Sequence, residues 1–301
     1  MPLFHLFLAF IVAVVWGINF IFVKLSLDVF SPLTLCAVRF ALASFPAILF
    51  IKPPSLPIKT VVLYGLVMFA LQFSLLFWGM SMGMTPGLTS LIMQVQVVFS
   101  LLFAALFLGE KPLKMQIVGA IVSFMQIVGA IVSFLGVGLI ARHVDGTSVS
   151  LIGFLCMLAC AATWGMGNLI IKKTNRVNML ALVVWGSLVA CPVMVLIAWW
   201  VEGYSSWVDS YHLMTGMSFI SVCYVAYMST LVGYGLWNWL LARHPVGMIA
   251  PFTLLTPVVG MLAAIIFLNE SFETWKLTAG LLMMTGLGIN VFSSPMSRLI
   301  Q

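Results

Sequence analysis

Ten stretches of about twenty apolar residues, joined by short connections, constrain this chain more than any other feature of its sequence. A helix needs about 20 residues to cross a hydrocarbon core of about 30 Å. The spans run near 4–24, 31–51, 60–81, 86–108 and 114–141, then 151–171, 179–201, 213–241, 246–268 and 276–293. Inside lipid every backbone N–H and C=O must be bonded within the protein, which leaves the helix as the answer. Of the 301 residues, 63% are hydrophobic and 7% charged, against roughly 45–50% and about 25% in a soluble domain. The expectation is an all-α polytopic membrane protein with ten transmembrane helices. No connection is long enough for an appended ATPase, kinase or receptor module.

Charge placement sets the expected orientation. Lys52, Lys59, Lys111, Lys114, Lys172, Lys173, Arg176, Arg243 and Arg298 lie in the even-numbered loops and C-terminal tail, whereas the odd loops hold Lys24, Arg142 and Lys276. A bias of nine to three predicts both termini in the cytoplasm, because cationic loops stay inside. Orientation also accounts for the net charge of +6 without a nucleic-acid partner. The longest odd loop, Glu202–Asp209, carries acids and aromatics and no cation, as expected outside. The N-terminus has no cation before its apolar run and reads as a retained first helix, not a cleaved signal.

The two halves repeat each other. Trp16-Gly17-Ile18-Asn19-Phe20 near the end of span one has its counterpart in Trp164-Gly165-Met166-Gly167-Asn168 of span six. Gly87 to Glu110 and Gly247 to Glu270 are both 23 positions apart, and Phe107-Leu108-Gly109-Glu110 matches Phe267-Leu268-Asn269-Glu270. Five spans being odd, the second copy enters with opposite orientation, the inverted repeat of secondary transporters. Residues 1–145 form the first repeat and residues 146–301 the second. One irregularity interrupts the symmetry: the ten residues 115–124 recur unchanged at 125–134. Span five thereby reaches about 28 residues, or about 42 Å at 1.5 Å per residue. Ten extra residues also turn the flanking faces about 80° out of register. Slippage or an assembly error explains such a tandem copy more readily than a functional long helix.

Enzymatic chemistry finds no support. All seven acids (Asp28, Glu110, Asp145, Glu202, Asp209, Glu270, Glu273) fall in loops or at helix ends, and all four histidines lie near span ends. No metalloprotease helix, phosphate loop or clustered nucleophile and base is present, so neither a cofactor nor a metal is expected. The five cysteines sit in apolar runs and read as packing. Intramembrane polar residues are therefore the functional candidates. Arg39, seven or eight residues into span two, is either an anion contact or a structural cation that reaches for the outer interface or clamps backbone carbonyls. Trp16 with Asn19, and Trp164 with Asn168, pair an aromatic wall with an amide, suited either to a cavity or to locking helices together. Gln72 lies mid-span. Gln94 and Gln96 differ by about 200° around a regular helix, so at most one is expected to face a given cavity. Tyr234, Trp237 and Asn238 cluster on span eight, and Pro86, Pro245, Pro251 and Pro257 bracket or interrupt spans four and nine.

With the WGxNF element, Arg39-Phe40 and the FLGE and FLNE endings, the chain resembles the drug/metabolite transporter superfamily, and within it the EamA branch. The strings VVWGINF, QFSLLFWGMSMGMTPGLTSLIMQVQ, LVGYG, LTPVVGMLAA and TGLGINVF look closest to bacterial O-acetylserine/cysteine exporters. The resemblance implies two inverted five-helix repeats around a central cavity bounded by spans one, three, four, six, eight and nine. It also implies export of a small polar metabolite, such as an amino acid, across a bacterial-type inner membrane by alternating access. Export of a larger amphiphile or aromatic amino acid stays open, as does a sensor or scaffold that transports nothing. The expected substrate contacts are Trp16, Asn19, Arg39, Gln72, Gln94, Gln96, Trp164, Asn168, Tyr234 and Asn238. The duplication departs from the family pattern.

Overall fold

The computed structural model describes residues 2–108, 128–129, 131–133, 135–140, 150–172, 177–243, 252–270 and 273–296. Among them every regular element is helical. In chain order these are α1 (Leu3–Leu27), α2 (Pro32–Ser44) and α3 (Ile58–Ser81). Next comes α4, which runs from Pro86–Ile92 through the tight turn Met93–Val95 into Gln96–Leu108. They continue as α5 (Ile131–Ile140), α6 (Leu151–Lys172) and α7 (Met179–His212). Then α8 is built from Gly216–Cys223, Tyr224–Gly233 and Tyr234–Arg243, and is followed by α9 (Leu255–Leu268) and α10 (Thr274–Met296). Six stretches are long and apolar enough to cross a membrane: Leu3–Leu27, Pro32–Leu49, Ile58–Ser81, Leu151–Ile170, Met179–His212 and Gly216–Trp237. The first copy of the duplication and half of the second lie outside the described residues. So do the start of span nine with Gly247, Pro245 and Pro251, and Glu110, Lys111, Lys114, Arg142, Lys173, Arg176 and Arg298.

Polarity is arranged inside out. Phe7, Leu106, Leu196, Trp200, Ile266 and Phe267 are exposed on the bundle surface, whereas Arg39 and Gln72 are each 1% exposed. An apolar exterior is what a lipid solvent requires. Helices approach closely where side chains vanish: a Cβ on Gly65 of α3 would stand 2.6 Å from the carbonyl oxygen of Gly186 on α7. Small residues let backbones meet in this way when no hydrophobic force drives helices together.

The Glu202–Asp209 segment corrects the sequence reading, since it is helical and not a loop. It continues α7 beyond a break at Gly203, whose φ of 78° is a left-handed conformation suited to glycine. The break turns Glu202 onto the N-terminus of α2. There its carboxylate accepts the N–H groups of Leu33 (2.8 Å) and Thr34 (2.9 Å) and the Thr34 hydroxyl (2.7 Å). Opening N–H groups of a helix lack intrahelical partners and carry partial positive charge, so a carboxylate from another helix is a strong cap. A second acid does the same for α4. Glu270 accepts from the Thr85 hydroxyl and from the Gly87 N–H (3.3 Å), and Lys276 stands 3.7 Å from it.

Two helices are locally wider than an α-helix. Gly65–Leu71 in α3 and Tyr224–Gly233 in α8 are π-helical, a form with i→i+5 bonds that is frequent at functional sites. Each is followed directly by a polar residue facing the centre, Gln72 in α3 and Tyr234 in α8.

Candidate functional site

A cavity of about 70 Å³ opens where α1, α2, α3, α4, α6 and α8 meet the approach to α9. Trp16, Asn19 and Phe20 come from α1, Arg39 from α2, and Gln72, Phe73 and Leu76 from α3. Met93, Gln94 and Gln96 come from α4, Trp164 from α6, Ser229 and Tyr234 from α8, with Thr253 and Thr256 completing the wall. Eight of the ten residues singled out from sequence therefore share one cavity. Asn168 stands behind the wall, donating through Nδ2 to Gln96 Oε1 at 3.2 Å. Asn238 lies on α8, with its side chain outside the described residues. The cavity also draws on α2, which the family resemblance left out, because Arg39 turns inward.

Both Gln94 and Gln96 reach the cavity, against the sequence expectation that at most one would. The turn between them supplies the reason. Met93–Val95 is a 3-10 segment, with about three residues per turn instead of 3.6. Two steps then leave the side chains about 120° apart rather than about 160°, close enough for two long amides to converge.

Arg39 is neither snorkelling nor exposed. Its Nε and Nη2 donate to Thr230 Oγ1 at 3.2 and 2.9 Å, and the guanidinium carbon lies 3.8 Å from the Phe73 ring centroid. Among the described residues no carboxylate pairs with it. Its Nη1 is buried without a partner, as are Asn19 Oδ1, both amide atoms of Gln72, and Thr256 Oγ1. A buried polar atom left unbonded costs about 1–3 kcal/mol. Of the six such atoms among the described residues, five belong to residues that line this one cavity, the sixth being Thr89 Oγ1, a concentration that suits a polar solute.

The aromatic wall is anchored by the π-helical part of α8. Trp16 Nε1 donates to the Ser229 carbonyl (3.1 Å), and the Tyr224 hydroxyl donates to Val15 O (2.9 Å). The Trp16 indole meets Trp164 edge-on at 6.4 Å and lies 5.2 Å from Tyr234 and 5.6 Å from Trp237, which therefore belongs to the interior stack. Gly233 makes room for it: a Cβ there would stand 2.5 Å from Trp16 Nε1. Gly233→Ala is expected to cost about 1–3 kcal/mol through overpacking, read as a lower unfolding midpoint of the detergent-solubilised protein. An unchanged midpoint would mean that the indole moves aside freely. The cavity residues not anticipated from sequence are Ser, Thr and apolar ones: Phe20, Phe73, Leu76, Met93, Ser229, Thr253 and Thr256. Thr residues give no contrast in such helices, although LTPVV did mark the neighbourhood of Thr256.

Similarity to known proteins agrees with this architecture. The model of the EamA-like transporter family matches residues 3–131 and 151–292. A protein of Escherichia coli described as a probable amino-acid metabolite efflux pump is 35% identical over 289 residues, covering 95% of this chain and 94% of that one. Its namesake in Salmonella typhimurium is 35% identical over 296 residues, covering 97% and 96%. An uncharacterized transporter of Bacillus subtilis is 28% identical over 92% of this chain and 88% of its own length. A crystal structure of 15% identity, matched over 100% of both chains, superposes with a TM-score of 0.64 and so shares the fold. The chain is a multi-pass membrane protein that belongs to the EamA-like transporter family.

Proposed function

We propose that the chain exports a small amino acid or related metabolite, of the cysteine or O-acetylserine type, with the central cavity as its substrate site. One observation carries this reading: five unpartnered buried polar atoms belong to four residues, Asn19, Arg39, Gln72 and Thr256, that line one cavity of about 70 Å³. That set offers donors and acceptors together, which suits a zwitterion. Arg39 serves as the anion contact, and Trp16, Trp164 and Tyr234 enclose the rest, with Gln94 and Gln96 at the α4 side. Asn168 contributes by holding Gln96, and Asn238 is proposed as a further substrate contact from its sequence position alone. The names of the relatives at 35% identity support an amino-acid metabolite as cargo.

The transport cycle is alternating access between two inverted five-helix repeats, ten transmembrane helices in all, with both termini on the cytoplasmic side of a bacterial-type inner membrane. The paired π-helical segments in α3 and α8, the third span of each repeat, support such a symmetry. The tryptophan-rich wall favours a second reading, export of a larger amphiphile or aromatic amino acid. The four residues with unpartnered polar atoms among those rings favour the small polar solute.

Counterflow of radiolabelled cysteine and O-acetylserine in proteoliposomes tests the assignment, with the intact chain beside a version lacking residues 125–134. Both labels are expected to accumulate, and at least as fast in the shortened chain, whose span five regains ordinary length. Accumulation by the shortened chain alone would mark the duplication as a lesion. Silence from both folded proteins would sink the small amino-acid reading and favour the amphiphile exporter or a non-transporting sensor.

A further inference from the structure

The hydroxyl of Thr230 has one proton to give. It donates that proton to Val225 O at 2.9 Å, a carbonyl five residues back that only the π-helical turn brings beneath it. A threonine in a regular helix would bond the carbonyl three or four residues back. With its proton committed, the oxygen can only accept from the direction of Arg39. It does so twice, from Nε and Nη2. One edge of the guanidinium is thereby occupied and one face is covered by Phe73 at 3.8 Å. The nitrogen left without any partner is Nη1, buried on a residue that lines the cavity. Thr230 itself is fully buried and is not among the cavity-lining residues.

We propose that Thr230 is the positioning residue that makes this cavity demand a free carboxylate. By holding the Nε–Nη2 edge, it fixes Nη1 as the unpartnered nitrogen that Arg39 offers to the solute. The Gln72 amide nitrogen, also unpartnered on the same wall, supplies a donor for the other carboxylate oxygen. Without Thr230 the guanidinium loses its fixed orientation and turns to whatever acceptor is nearest, Gln72 Oε1 included. Binding of the carboxylate then suffers, while contacts to the rest of the solute persist. This inference rests on the exporter reading above and specifies the group that its substrate must carry.

Competition against cysteine counterflow tests it, with unlabelled cysteine and cysteamine as probes, because cysteamine is the same molecule without its carboxylate. Wild-type protein is expected to take cysteine at concentrations well below those of cysteamine. Thr230→Val, close in shape but unable to accept, is expected to shrink that preference about tenfold, the effect of one hydrogen bond to a charged group. Thr230→Ser restores the oxygen and is expected to restore the preference. If Thr230→Val weakens cysteine and cysteamine equally, or if the wild type does not distinguish them, the positioning role is overturned while the exporter reading stands. If the wild type shows no cysteine counterflow at all, the exporter reading falls and this inference with it.

Discussion

Arg39→Met lowers cysteine counterflow about a hundredfold, by expectation, in protein that still purifies as a folded species. Truncating a buried, hydrogen-bonded charge that meets an opposite charge on its ligand costs about 2–5 kcal/mol, which brackets a hundredfold loss. Methionine keeps most of the side-chain volume against Phe73 and removes both the charge and the unpartnered Nη1. Arg39→Lys keeps a charge on a point donor, which cannot serve Thr230 and a carboxylate with a planar fork. Its flux is expected to fall between wild type and the methionine variant. The measurement is initial counterflow rate normalised to protein incorporated in the vesicles. Full flux with a lowered unfolding midpoint would make Arg39 a clamp between α2 and α8 and remove it from the substrate site.

Glu202→Ala has the largest expected effect on stability. The carboxylate accepts three hydrogen bonds, at 2.8, 2.9 and 2.7 Å, from the first turn of α2. Bonds to a charged group contribute about 1.5–3 kcal/mol each and do not add fully. A loss of about 3 kcal/mol is therefore expected, read as a fall of several degrees in the unfolding midpoint. Glu202→Gln keeps one accepting oxygen and is expected to lose less than half as much. Glu202 does not line the cavity, so both variants are expected to retain substrate affinity at low temperature. A midpoint unchanged in the alanine variant would mean that water caps α2 as well as the carboxylate does.

Why some of this was legible beforehand follows from what a bilayer does to sequence. Apolar length is dictated by membrane thickness, so the start of α1 at Leu3 and the close of α3 at Ser81 fall within a few residues of the expected spans. Mid-span polar residues are expensive in lipid, and Asn19, Arg39 and Gln72 stood out for that reason. The failures share a cause as well. Glu202 looked like loop because its partner is 169 residues earlier in the chain, and a cap supplied from another helix leaves no local pattern. Gln94 and Gln96 were separated by assuming a regular turn, and no apolar period reveals a single 3-10 turn. Thr230 was invisible because threonine bonds its own helix wherever it occurs. Its role depends on a π-helical carbonyl five residues back.

The distance along the chain between Arg39 and its partner has a consequence for how the protein is made. Thr230 is 191 residues downstream. At about 5–20 residues per second, roughly 10–40 s of translation separate the two. The second helix is thus synthesised and delivered to the bilayer with a guanidinium whose acceptor does not yet exist. Translocon scales put an arginine near the helix centre at about 2.5–3.5 kcal/mol. Meanwhile that charge must stay hydrated, at the bilayer surface or beside the insertion channel. Packing of α2 against α8 is therefore a late event of assembly, postponed until the ribosome has passed the eighth helix.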